Sequence, residues 1–232
     1  MKKNIIFISI AVVIIAILFL LSENIKPKTV RVEENLLDID YNIKGNEASL
    51  KYDTYNPLVA MYIENYGSIV IELFPDYAPN TVNNFIYLVK SGFYDNNTFH
   101  RLDKDSVHVL QGGDPKGIGS GGPGYHIKGE FTENGFENKL SHTKGIVSMA
   151  RSQAPDSAGS QFFICIDDVK ELDGKYATFG RVIAGWDNIE KIVEKERVAD
   201  QTSGKLVRNL VIKKALVDLK GKEYPEPEKV GE

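Results

Sequence analysis

Cysteine is all but absent from this chain of 232 residues, with Cys165 the only one. One thiol cannot form a disulfide within the chain, and a zinc site built from cysteines is excluded with it. An excess of basic charge is missing too: Lys and Arg number 28 against 32 Asp and Glu, for a formal net charge of −4 at pH 7. No broad basic face is available, and nucleic acid is not an expected partner. The four histidines, His100, His108, His126 and His142, stand on separate segments without the close paired spacing of a zinc site. They read as structural residues, and no metal is expected. A nucleophile elbow of the form G-x-S-x-G is missing around Ser120 and Ser160, which leaves acyl transfer without an evident nucleophile. Residues 117–122, GIGSGG, have the letters of a dinucleotide-binding loop. Pro123 and Gly124 follow where that motif requires a helix, so the match carries no nucleotide chemistry. No internal repeat is present.

What the chain does have begins at its N-terminus. After Met1, Lys2 and Lys3, the run from Ile5 to Leu21 is almost unbroken apolar sequence without a charge. Such a run is close to the minimum that crosses a bilayer, roughly 17 to 25 residues. A secretory signal has a shorter apolar core, about 7 to 15 residues, and ends in an A-x-A-like site. Leu20, Leu21, Ser22 and Glu23 offer no such site. Residues 1–21 therefore read as an uncleaved membrane anchor, with a cleaved signal and secretion as the alternative. Lys2 and Lys3 should stay in the cytoplasm, which makes this a single-pass protein of the cell membrane with its main domain extracytoplasmic. Residues 22–55 are polar, without clean periodicity, and read as a spacer.

Beyond the spacer, short β-branched runs alternate with turn residues. Leu58 to Glu64 and Ser68 to Phe74, separated by Asn65, Tyr66 and Gly67, predict a β-hairpin. Pro79 to Ser91 place Val82, Phe85, Ile86 and Val89 at helical spacing, with Gly92 just past the end. Residues 112–129 are turn chemistry, dense in glycine. Gly145 to Arg151, Ser160 to Ile166 and Ala177 to Ile183 predict strands, Trp186 to Val193 a second short helix, and Leu206 to Leu219 a long final strand. From Lys220, Pro225 and Pro227 among charges predict a disordered tail over 220–232. Many strands and two helices point to a mainly β fold, a closed barrel plugged by helices, because closure removes exposed edges.

The stretch FHRLDKDSVHVLQGGDP, residues 99–115, raises a chemical question. Arg101 is a permanent cation close to the strand-like apolar positions Val107, Val109 and Leu110, and no acid reads as close enough along the chain to neutralise it. Arginine cannot act as a base at biological pH, but it donates hydrogen bonds from a rigid fork. Gln111 precedes glycines, and Gln161 leads into Phe162 and Phe163. In a strand the two phenylalanines face opposite sides. One fills the core and the other lies on the outer face, where a large aromatic points to a binding pocket.

Six segments, FHRL, LQGGDP, GGPGYHIKGEF, HTKGIVSMA, SAGSQFFICI and LDGKYATFGRV, resemble in order the cyclophilin family of peptidyl-prolyl cis–trans isomerases, its bacterial branch most of all. The resemblance runs from about Leu58 to Leu219. It implies a closed eight-stranded antiparallel barrel capped by two α-helices over residues 56–219, here preceded by the N-terminal transmembrane helix. It implies rotation of X-Pro bonds in extracytoplasmic proteins during folding, without a cofactor. Proline-containing segments of client proteins, and cyclosporin-type ligands, are the implied partners. By motif match Arg101 takes the catalytic role, Gln111 orients it and the substrate carbonyl, and Phe163 is the floor on which the proline ring packs. Val109 and Leu172 are the walls, and Ala150, Arg151 and Gln161 line the groove for the preceding residues. Tyr176 hydrogen-bonds near the proline carbonyl.

Two features depart from the family pattern. The chain between Arg101 and Gln111 is two residues longer than usual, around the charged stretch Asp103-Lys104-Asp105. Counting back from Gln111 puts His108 where the family has a pocket phenylalanine, and a polar ring there weakens the proline pocket. Glu171 stands where many relatives have an aromatic or a histidine. These departures leave an alternative function of a different class, a chaperone module that grips proline-containing segments with weak or no turnover.

Overall fold

A computed structural model describes residues 55–231. The anchor expected over 1–21, and the spacer expected over 22–55 apart from Tyr55, lie outside the described residues. Among the described residues no helix is long and apolar enough to cross a membrane.

Strands β1 (Leu58–Ile63) and β2 (Gly67–Leu73) form the expected antiparallel hairpin. Its turn holds Asn65 and Gly67 at φ of 68° and 105°, the left-handed region that these two residue types tolerate best. Helix α1 (Pro79–Lys90) buries the face predicted by its spacing, including Val82, Phe85, Ile86 and Val89. Ala78 offers no capping side chain. The Glu130 carboxylate, from a loop far along the chain, accepts instead from the backbone N–H of Asn80 (2.9 Å) and of Thr81 (2.7 Å). An anion there satisfies orphan amides and complements the helix dipole.

The remaining strands are β3 (Thr98–Asp103), β4 (Val109–Gly112), β5 (Ile146–Met149), β6 (Phe162–Cys165), β7 (Ala177–Ala184), the short β8 (Val198–Asp200) and β9 (Lys205–Asp218). Helix α2 (Trp186–Lys195) follows Gly185 and buries Ile189 and Ile192. In space the strands run β1-β2-β7-β5-β6-β4-β3-β9, and β9 pairs back onto β1, so eight antiparallel strands close into a barrel. β8 pairs with β9 alone, as a hairpin at the rim.

Aromatic rings fill the interior. Phe85, Tyr94, Phe99, Phe162 and Phe179 pack with neighbouring ring centroids 4.9 to 5.6 Å apart, tilted or edge-on, the arrangement that ring quadrupoles favour. A smaller apolar cluster, with Phe74, Val109, Ile146, Phe163 and Cys165, lies on the other face of the wall. The alternation of β6 thus divides Phe162 from Phe163 as expected.

The tail corrects the sequence reading. Residues 220–231 lie against the barrel instead of being disordered. Asn80 and Glu228 exchange two hydrogen bonds (3.0 and 2.8 Å), Val230 pairs with His126, and the Lys229 ammonium sits 4.9 and 4.6 Å from the rings of Tyr87 and Tyr125. Composition alone missed this because the partners belong to distant segments.

Phe162 is fully buried against the rings of Phe85, Tyr94 and Phe99, so Phe162→Ala should leave a cavity. The expected loss is about 3–5 kcal/mol, read as a lower urea midpoint at unchanged denaturant slope.

Candidate active site

Strict alternation along β3 would send Phe99 and Arg101 to the same face. The register between β3 and β4 shifts between these two residues, which makes His100 a β-bulge. Phe99 and Leu102 remain in the interior, while Arg101 and Asp103 share the outer face. Bulges beside active sites commonly re-aim a side chain in this way. His100 itself is buried, and neither ring nitrogen has a hydrogen-bond partner.

From the bulge the register crosses four strands in one line. Arg101 lies opposite Gln111, Gln111 opposite Phe163, and Phe163 opposite Ser148. The side chains follow the same line. Arg101 Nη1 donates to Gln111 Oε1 at 3.1 Å, and Gln111 Nε2 donates to Gln161 Oε1 at 3.0 Å. Gln161 Nε2 in turn donates to the Gly121 carbonyl at 2.9 Å. The loop that carries Gly121 is organised by the buried Asp114, whose carboxylate accepts from the backbone N–H of Lys116, Ile118, Gly119 and Ser120. The glycine-rich stretch therefore wraps a carboxylate of its own and supports Gln161.

Phe163 forms the centre of the outer cluster. The His142 ring stacks on it at 5.9 Å and 14°, and Tyr176 meets it edge-on at 5.6 Å. His142 is wholly buried and held at both nitrogens, Nδ1 by Asp173 at 2.8 Å and Nε2 by the Ser148 hydroxyl at 3.0 Å. A carboxylate only accepts, so Nδ1 carries the proton and Ser148 donates to Nε2 of the neutral ring. Cys165, in the same cluster, has its thiol pushed above the ordinary range by burial, and it stays protonated.

The structure brings Val109, Ala150, Leu172 and Tyr176 together around Phe163. Arg151 is placed differently from a free groove residue. Its guanidinium lies 4.8 Å from the rings of both Phe131 and Tyr176, and its Nε donates to the Lys175 carbonyl at 2.9 Å. His108 is half-buried at φ 47°, just ahead of β4. Val107, one residue earlier, packs against the apolar cluster that contains Phe163.

Arg101 is also not without an acid. Its Nη2 donates to Asp103 Oδ2 at 2.8 Å, and its Nε donates to the Ser203 carbonyl at 2.9 Å. Asp103 was legible, since residues two apart in a strand share a face. Ser203 was not, because it lies in the turn between β8 and β9 and only the closed barrel brings it near. His142, Asp173 and Ser148 likewise carry no local signal.

Comparison with known proteins agrees with this geometry. Residues 58–217 match the family described as cyclophilin type peptidyl-prolyl cis-trans isomerase/CLD. The chain is 43% identical over 150 residues to the peptidyl-prolyl cis-trans isomerase cypE of Dictyostelium discoideum, covering 64% of this chain and 90% of that protein. It is 45% identical over 143 residues to a peptidyl-prolyl cis-trans isomerase of Helicobacter pylori, covering 61% and 80%. Of the longer peptidyl-prolyl cis-trans isomerase-like 2 of Cryptococcus neoformans it spans only 25%, at 41% identity over 150 residues. A crystal structure of a Cryptosporidium parvum cyclophilin type peptidyl-prolyl cis-trans isomerase, in the presence of the dipeptide Ala-Pro, superposes with a TM-score of 0.61 at 32% identity. The match covers 69% of this chain and 98% of that one.

Burial disfavours the imidazolium at both His142 and His100, which lowers both below the ordinary histidine range; at His142 this outweighs the pull of Asp173. The unfolded chain takes up these protons near about pH 6.5 and the folded chain resists them, so folding stability rises with pH across that window. The contribution is complete above about pH 7 and is lost as pH falls through the unfolded value towards the lowered folded ones. Urea midpoints at about pH 7.5 and about pH 5.5 should therefore differ in the parent, and differ less in His142→Gln.

Proposed function

The chain belongs to the cyclophilin type peptidyl-prolyl cis-trans isomerase family, and from that premise we propose that it accelerates rotation about X-Pro bonds in protein segments bound across the Phe163 pocket. The observation that carries the reading is the continuous register line Arg101–Gln111–Phe163, which sets a cation, its orienting amide and an apolar floor side by side.

The prolyl amide resists rotation by roughly 18–20 kcal/mol because the nitrogen shares its lone pair with the carbonyl. Uncatalysed isomerisation takes about 10–100 s at 25 °C. Bringing that to milliseconds needs four to five decades, or ~5–7 kcal/mol. No bond breaks, so the reaction requires neither a base nor a cofactor. When the amide twists, its lone pair localises on nitrogen and becomes an acceptor. A donor fixed beside the nitrogen then binds the twisted state better than the planar one, which is the requirement for catalysis. Arg101 has five N–H donors, and three have protein partners, at Ser203, Gln111 and Asp103. Two remain for the substrate. Phe163, with Val107, Val109 and Leu172 around it, holds the proline ring. Tyr176 stands at the pocket edge, and Ala150, Gln161 and the π-held Arg151 line the approach for preceding residues.

The clients are proline-containing segments, and the same apolar floor supports binding of cyclosporin-type ligands. The uncharged run Ile5 to Leu21 supports a membrane anchor that places this domain outside the cytoplasm, in a protein of bacterial type. Carbonate extraction of membranes separates this reading from a cleaved signal: full-length protein should stay in the pellet, whereas soluble protein beginning near Glu23 speaks for secretion.

Arg101→Ala should reduce kcat/KM by two to three decades, ~3–4 kcal/mol. Arg101→Lys should be nearly as damaging, because a point charge cannot reproduce the fork. A protease-coupled assay on a short proline peptide measures both, and parent-like rates in either variant would remove Arg101 from the catalytic role. In the same assay Val107→Ala should lower kcat/KM about three- to tenfold through lost apolar contact. His108→Phe should change it by less than about twofold, since on this reading Val107 rather than His108 meets the proline ring. The opposite ranking would return the pocket position to His108.

A further inference from the structure

The three nitrogens of the Arg101 guanidinium are held by three separate partners. Nε donates to the Ser203 carbonyl in the β8–β9 turn (2.9 Å), Nη1 to Gln111 on β4 (3.1 Å), and Nη2 to Asp103 on β3 itself (2.8 Å). The turn sits close against the arginine because Gly204 has no Cβ. One placed there would stand 3.2 Å from Arg101 Cγ and 3.3 Å from Nε, on a backbone at φ 70°. Of the three contacts, only the one to Asp103 is between opposite charges. Asp103 is 3% exposed, whereas the Arg101 side chain is 28% exposed. The carboxylate therefore cannot reach a bound peptide, but the guanidinium can.

The other oxygen of the same carboxylate organises the inserted loop. Asp103 Oδ1 accepts from the backbone N–H of Ser106 at 2.9 Å, Val107 at 3.0 Å and Asp105 at 3.3 Å. Lys104, next in sequence, donates to the carbonyls of Val193 and Glu196 and fixes the loop to the end of α2. One acid thus grips the guanidinium with one oxygen and, with the other, folds the segment that delivers Val107 to Phe163. Although burial pushes its pKa upward, the backbone N–H of Ser106 and Val107 and the nearby guanidinium prevail and hold it below the usual carboxylate range. It stays ionised throughout the neutral range.

We propose that Asp103 is a positioning residue for the isomerisation, fixing the direction in which the two unengaged Arg101 N–H donors point. The proposal rests on Arg101 being the catalytic group. An exposed ion pair would contribute little, but this pair has a buried acid, and it closes the last rotational freedom of a guanidinium whose orientation is the catalytic quantity.

Asp103→Asn is the informative variant, because an asparagine oxygen still accepts from Ser106 and Val107 while its NH2 cannot accept from Arg101. It should lower kcat/KM about tenfold, mainly in kcat, with KM changed less than about twofold. Combined with Arg101→Ala it should cause no further loss, since a residue acting through another has nothing left to act through. The 15N-detected Nε–Hε resonance of Arg101 should be sharp in the parent and shifted or broadened in Asp103→Asn, a readout independent of residual rate. Parent-like kcat, an equal fold-loss in both backgrounds, or an unmoved resonance would each overturn the role of Asp103. An Arg101→Ala variant with full activity would instead overturn the catalytic reading beneath it.

Discussion

The antiparallel register across β3, β4, β6 and β5 is the constraint on which the site depends. It places Arg101, Gln111, Phe163 and Ser148 on neighbouring strands in one row. A slip of one residue in any of these pairings would turn the side chains to the opposite face. Closure of β9 onto β1 leaves the eight barrel strands paired on both sides, which opposes such a slip. Within the β3–β4, β4–β6 and β5–β6 pairings the bulge at His100 is the one register shift, and it puts a cation on the outer face of a strand whose flanking residues are buried.

Around that row the molecule uses two kinds of support. The proposed proline pocket is apolar and fixed, because Phe163 lies between the His142 stack and the Tyr176 edge, and His142 is itself locked at both nitrogens. Fully satisfied buried polar networks of this kind fix one arrangement. The donor side is polar and just as fixed. Gln111 and Gln161 pass a hydrogen-bonded chain from Arg101 to the loop folded about Asp114. The chemistry asks only that a donor be aimed correctly, so most of the structure's effort goes into aiming it.

The inserted stretch is the most individual feature of this chain. Asp103, Lys104 and Asp105 look in the sequence like a solvated charge run, yet in the fold two of the three are engaged at specific sites. Asp103 binds Arg101 and the loop amides, and Lys104 binds the end of α2. The insertion is thereby built into the wall of the site, and Val107 packs against the apolar cluster that contains Phe163.

Local patterning was enough for the hairpin of β1 and β2, both helices, the long final strand and the division of Phe162 from Phe163, because each depends on periods of two or 3.6 residues that are written along the chain. Ordered motifs singled out Arg101, Gln111 and Phe163, which strand pairing sets in one row. Tertiary structure alone decided how the two extra residues are absorbed around the Asp103 carboxylate, and so how Val107 comes to pack against the Phe163 cluster. It alone decided that Ser203 and Asp173 serve the site, because strand pairing and loop packing bring together residues distant in sequence. The tail from Lys220 follows the same logic. Its charges and prolines have no helical or strand period of their own, and it is ordered by Asn80, His126, Tyr87 and Tyr125. A chain's own letters determine what each segment prefers, but contacts between segments exist only once the barrel has closed.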